Sequence, residues 1–110
     1  MVIRVDARRL TDKASLYAAL DELFGFPADS GKNLDAIIDL LTYLDAPQTR
    51  SSRLQVLPGQ IILLVLEHME GHNKHTEVQI AALLDVIAFV NWRRLEKGQT
   101  PILAVAYERE

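Results

Sequence analysis

Val2, Ile3 and Val5 are β-branched residues set among polar ones, a pattern that predicts a short strand ending near Asp6. Thr11 and Asp12 both suit the N-cap of a helix whose inner side reads Leu16, Ala19, Leu20 and Leu23, with Tyr17 and Phe24 beside it. Gly25 stops that helix and Phe26-Pro27 opens a loop. Asn33 is placed to cap a second helix from Leu34 to about Asp45, burying Leu34, Ile37, Leu41 and Leu44 and showing Asp35, Asp39 and Thr42 on the other side. Pro47 ends this region, Gln48 to Arg53 is polar and turn-rich, and residues 46–59 read as an irregular excursion closed by Pro58-Gly59. Ile61 to Leu66 is an unbroken apolar run, which predicts a strand covered on both faces, as in parallel sheets. Residues 67–75 read as a loop. Thr76 then caps a long helix from Glu77 to Lys97, with Val78, Ala82, Leu84, Ile87, Val90, Asn91 and Leu95 along one side. Gly98 closes it, Pro101 bars its resumption, and Ile102 to Tyr107 is a last strand of the buried type.

Strand, helices, strand, helix, strand is the alternation that yields parallel pairing through right-handed crossovers. The expected fold class is therefore α/β: a three-stranded parallel sheet with helices packed on it, in two layers, forming one domain over residues 1–110. A chain of 110 residues can bury one core without covalent staples. There is no cysteine, which excludes disulfides and thiolate metal sites and suits a reducing, cytoplasmic setting. The first residues lack the apolar run of a signal peptide, and Ile61 to Leu66 is too short for a membrane span. A net charge of −3 disfavours direct nucleic-acid binding, which needs clustered Lys and Arg.

The distribution of acids is more informative than their total. Between Asp21 and Asp45 lie six acids (Asp21, Glu22, Asp29, Asp35, Asp39 and Asp45) against a single base, Lys32. Within that stretch, Phe26-Pro27-Ala28-Asp29-Ser30-Gly31-Lys32-Asn33-Leu34-Asp35-Ala36 and the helix after it resemble the signature of the barstar family. The core of the likeness is Gly-x-Asn-Leu-Asp-Ala, with a second acid four residues after the first. Leu64-Val65-Leu66-Glu67 resembles the family's second strand. The resemblance implies a bacterial intracellular inhibitor, of the kind that includes immunity proteins for nuclease toxins, whose loop and second helix fill a ribonuclease cleft in place of RNA phosphates. It implies partner-binding roles for Asp29, Gly31, Asn33, Leu34, Asp35, Ile38, Asp39 and Thr42. Asn33 would cap the helix, Gly31 would admit close approach, and Asp35 and Asp39 would meet Arg, Lys or His of the nuclease. Asp29, Ser30, Ile38 and Leu44 stand where the family's namesake has aromatic residues, and the last helix ends in the basic run Arg93-Arg94-Leu95-Glu96-Lys97. These departures point to a different nuclease, or to a different basic, non-nuclease protein bound by the same fold.

Other features have plainer readings. His68, His72 and His75 with Glu67 and Glu70 could ligate a metal only on one helix face, and Gly71 and Asn73 favour a loop of surface histidines with no metal. Trp92 with Arg93 and Arg94 reads as a helix-end tryptophan packed on the sheet beside cations that suit a helix C-terminus. Asp35 and Asp39 could in principle form an acid–base pair, yet no nucleophile elbow, cofactor loop or histidine accompanies them on that helix. The expectation is a binding protein and not an enzyme, with no cofactor.

Overall fold

The computed structural model describes residues 1–49, 52–71 and 73–109. Its elements in chain order are β1 (Val2–Asp6), α1 (Lys13–Phe24), α2 (Leu34–Thr42), β2 (Ile62–Glu67), α3 (Lys74–Glu96) and β3 (Leu103–Tyr107), with short 3₁₀ turns at Ala7–Arg9, Pro47–Thr49 and Met69–Gly71. The strands form one parallel sheet in the order β1-β2-β3, with Ile3 opposite Leu64 and Leu64 opposite Val105. This is the α/β architecture that the alternation of elements predicts.

The core draws on one face of that sheet. Ile3 and Val5, Ile62, Leu64 and Leu66, and Leu103 and Val105 share a parity along their strands, and all join the main apolar cluster with the helices. Residues of the other parity, among them Leu63, Val65, Ala104 and Ala106, stay outside it. The unbroken run in β2 therefore does not signify helices on both faces. Val65 is only 4% exposed, but it lies in register with Arg4, which reaches Glu67 and Glu108. Short side chains and a surface ion-pair group, not a second helical layer, flank it.

Local chemistry sets the helix ends. Asp12 caps α1 by accepting from the Ser15 amide (2.8 Å), and the Ser15 hydroxyl returns the contact to the Asp12 amide (3.0 Å). Gly25 ends α1 at φ 67°, and a Cβ there would come within 2.6 Å of Arg53, so both backbone and space require glycine. The Arg53 amide donates to the Gly25 carbonyl (2.8 Å), the Leu54 amide to Phe24 (2.9 Å) and the Val56 amide to Leu44 (2.9 Å). The segment 46–59 is irregular, as expected, yet these bonds and the burial of Ser52 and Val56 hold it against α1 and the end of α2. Arg50 and Ser51, part of its polar stretch, lie outside the described residues.

Three sequence expectations are corrected. First, α2 ends at Thr42, three residues before Asp45, because a side chain of α3 takes the Thr42 carbonyl. Second, α3 begins at Lys74 and its cap is Asn73, which accepts from the Thr76 amide (3.1 Å); Thr76 occupies the third helical position and is buried. Third, α3 is rotated relative to the expected stripe. It buries Gln79, Ile80, Leu83, Val86, Ile87, Val90 and Arg94, whereas Val78 is 62% and Leu95 57% exposed. Trp92, expected on the sheet, is 57% exposed, since it lies nearly half a helical turn away from both Val90 and Arg94. Asn91 instead reaches β3: its amide nitrogen donates to the Leu103 carbonyl (2.8 Å), and its oxygen accepts from the Ile102 and Leu103 amides (3.0 and 3.2 Å).

Arg94, read from sequence as one of the cations at the end of the helix, is 1% exposed. Its guanidinium donates to both Asp45 oxygens (2.9 and 2.8 Å), to the Thr42 carbonyl (2.8 Å) and to the Thr100 carbonyl (2.7 Å). One side chain thus joins the end of α2, the end of α3 and the turn into β3. The Arg94 hydrogen bonds hold the Asp45 carboxyl below the ordinary carboxylate range, against the opposing effect of burial. Asp45 is more acidic folded than unfolded, so its contribution to stability is complete above about pH 4 and is lost as pH falls through the folded value. Asp45→Asn is expected to destabilise the fold by roughly 3–5 kcal/mol, because it leaves a buried guanidinium without its counter-ion. Urea unfolding at neutral pH and again at low pH checks this: the gap between parent and variant should shrink on acidification, and a constant gap would assign the loss to packing alone.

Candidate protein-binding site

The acidic segment begins where α1 ends. The Phe26 amide donates to the Asp21 carboxylate (3.2 Å), and the Phe24 and Phe26 rings stack with centroids 5.9 Å apart. The Ser30 amide donates to the Pro27 carbonyl (3.0 Å), turning the loop so that Asp29, Gly31 and Lys32 are exposed. Asn33 then caps α2 by accepting from the Ala36 amide at 2.8 Å. A Cβ on Gly31 would lie 3.2 Å from the Asn33 side-chain Nδ2 and 3.4 Å from the Ala36 Cβ, so glycine lets the loop lie tightly over the cap. A groove of about 350 Å³ opens between α1 and this loop, with Tyr17, Asp21, Phe26, Pro27, Lys32 and Ile37 among its walls.

The eight residues singled out from the sequence stand in different settings. Asp29 and Asp35 are exposed and engage no side chain or backbone group among the described residues; Asp35 sits in the first turn of α2, where the helix dipole favours an anion. Asp39 follows one turn later and is 65% exposed, but Arg93 of α3 reaches it at 2.5 Å. Leu34 and Ile38 are half-buried and pack against the core edge, while Gly31 and Asn33 shape the loop. Thr42 does not lie on the exposed side. It is fully buried, its hydroxyl donates to the Ile38 carbonyl (2.6 Å), and its own carbonyl accepts from Arg94.

The net negative character of the segment is smaller than its sequence suggests. Glu22 pairs with Arg9 (2.7 Å), Asp39 with Arg93 and Asp45 with Arg94, so three of the six acids carry an arginine drawn from elsewhere in the chain. Asp21 is exposed but accepts from the Phe26 amide, and what remains open is a strip of Asp29 on the loop, Asp35 on the first turn, and the solvent side of Asp39. Arg93 and Arg94 are the residues that sequence reasoning missed. Their pairing with α2 spans about half the chain, and only the basic run at the end of the last helix hinted at them.

Among the described residues the histidines form no second site. His68 is half-buried with φ 60°, His75 is exposed in the first turn of α3, and His72 lies outside the described residues. Among the described residues, no three His, Cys, Asp or Glu side chains come together as a metal site, and no helix is long and apolar enough to cross a membrane.

No curated protein sequence matches the chain. A family model does: the one described as Barstar (barnase inhibitor) matches residues 1–105, nearly the whole length. With the parallel sheet, the Asn33-capped helix and the acidic strip already in place, that match makes the chain a member of the barstar family, a family of ribonuclease inhibitors.

Proposed function

We propose that this chain is a cytoplasmic inhibitor that enters the active-site cleft of a ribonuclease or nuclease toxin with the loop at residues 26–33 and the outer side of α2. The observation that carries this reading is a capped helix, in the family's Gly-x-Asn-Leu-Asp-Ala segment, that holds Asp35 open to solvent and Asp39 close behind it. Nucleases bind phosphate with Arg, Lys and His, and fixed carboxylates offer the same groups an alternative partner. Asp29, Asp35 and Asp39 would accept from those cations. Gly31 and Asn33 set the loop, Leu34 and Ile38 supply the apolar border, and Thr42 acts from below by closing the last turn of α2.

A second reading, a basic partner that is not a nuclease, is favoured by one observation: residues 27–42 contain no aromatic side chain. Aromatic rings are frequent anchors of tight interfaces. A strip built from carboxylates alone depends more on charge, and its association should slow as salt rises.

The double substitution Asp35→Ala, Asp39→Ala is expected to lower affinity for a small basic ribonuclease by at least about thirtyfold, since opposing cations lose their partners. Folding stability should change by no more than about 1 kcal/mol, both carboxylates being exposed. Inhibition of RNA cleavage by a panel of such enzymes is the measurement. A double variant that inhibits as well as the parent sinks the site, and binding to a basic protein without loss of RNA cleavage selects the second reading.

Arg93→Gln gives a test of opposite sign. Arg93 occupies Asp39 in the free chain and adds a positive charge beside the strip. Its removal is expected to tighten binding to a cationic partner about two- to fivefold with little change in stability, the ion pair being surface-exposed. Weaker binding would mean that Arg93 itself contacts the partner.

A further inference from the structure

The outer face of α3 carries apolar residues that the core does not use. Val78, Phe89 and Trp92 are 62%, 54% and 57% exposed, and Ala81 and Ala88 are exposed beside them. At 100° per residue these positions fall on the side of the helix opposite Leu83, Val90 and Arg94. The same face holds three charges with no hydrogen-bond or ion-pair partner among the described residues: Lys74, Asp85 and Glu96.

The order of these residues is self-complementary. Counting outward from Asp85 in both directions, Ala81 mirrors Phe89, Val78 mirrors Trp92, and Lys74 mirrors Glu96. We propose that this face is a self-association surface on which a second copy of the chain packs antiparallel about a two-fold axis through Asp85. A two-fold contact uses the same patch twice, so each pairing occurs on both sides of the axis. Small Ala81 receives Phe89 of the second copy, Val78 receives Trp92, and Lys74 meets Glu96 at each end. The exposed parts of four aromatic rings contribute roughly 400 Å² of apolar surface, enough for the centre of an interface near the lower limit of stable sizes. Asp85 opposes this arrangement, because the two-fold places two like charges against each other. The association is therefore weak in the parent and open to strengthening. This surface shares no residue with the acidic strip and does not rest on the nuclease reading.

Sedimentation velocity over a micromolar-to-millimolar range tests it, with Trp92, the single tryptophan, as an internal reporter whose emission should shift to the blue as dimer forms. Lys74→Glu and Glu96→Lys are each expected to weaken the dimer about three- to tenfold, and the two combined in one chain to restore it to within about twofold. Both changes suit the helix dipole, so a lost dimer cannot be blamed on a weakened helix. Asp85→Asn should tighten the dimer, a gain that damage to the fold does not mimic. A parent chain that stays monomeric throughout with unshifted Trp92 emission overturns the proposal. So does a dimer indifferent to the two charge reversals and to Asp85→Asn, since its contact would lie elsewhere.

Discussion

The fold depends on a buried ion pair that closes three segments at once. Arg94 faces inward from the last turns of α3, and its five N–H groups leave it no way to be buried unless several acceptors converge on it. Asp45 supplies two of them, the Thr42 carbonyl a third and the Thr100 carbonyl a fourth. Two of those acceptors are backbone groups at places where the chain must stop being regular: the end of α2 and the approach to β3. The guanidinium therefore acts as a C-terminal cap delivered from another helix, and it fixes how far α2 runs. Burying such a pair contributes little net stability against a well-packed apolar substitute, but losing one member leaves a stranded charge. Through these bonds it ties the end of α2 to α3.

The neighbouring pair shows the same chemistry in a different environment. Arg93 directly precedes Arg94 and its partner Asp39 lies six residues before Asp45, yet Asp39 is 65% exposed whereas the Asp45 side chain is 14% exposed. In water the attraction is screened and the pair exchanges partners at small cost. In the clamp the carboxylate is committed to structure. Lys97 adds a third contact in this series, donating to the Tyr43 hydroxyl at 3.2 Å with its ammonium 5.2 Å from the ring centre. Three residues of one helix end thus grade from fully structural to readily displaced, and the displaceable one borders the strip proposed to bind a partner.

Much of this was legible locally. The three strands, the order of elements, the Asn33 cap and the Gly25 stop all follow from residues within one turn of the feature they specify, whereas Thr11 and Asp12 suit the cap of α1 equally and the structure selects Asp12. The barstar resemblance rested on such a stretch, and the loop-to-helix geometry there agrees with it. What the sequence hid was long-range or ambiguous in phase. Nothing near Asp45 announces that its counter-ion is residue 94, and so the carboxylates of the acidic segment look equivalent in sequence, although one is largely enclosed beside Arg94 and two others are paired at the surface. Apolar residues line both sides of α3, so periodicity alone could not choose the buried side; Val78 and Leu95 were placed inward and face solvent. Thr42 was misplaced for a related reason, since a threonine at the end of a helix satisfies its own hydroxyl and can be buried without penalty.

The contact of Asn91 with Leu103 has one more implication. β3 is a border strand of an open sheet, and the amide and carbonyl of Leu103 would otherwise offer themselves to a strand from any other polypeptide. The Asn91 carboxamide, with one donor and one acceptor correctly spaced, imitates a peptide group and occupies both. A helix side chain thereby takes the place that an intruding backbone would need, and the start of the border strand, just past Pro101, is guarded against runaway sheet growth.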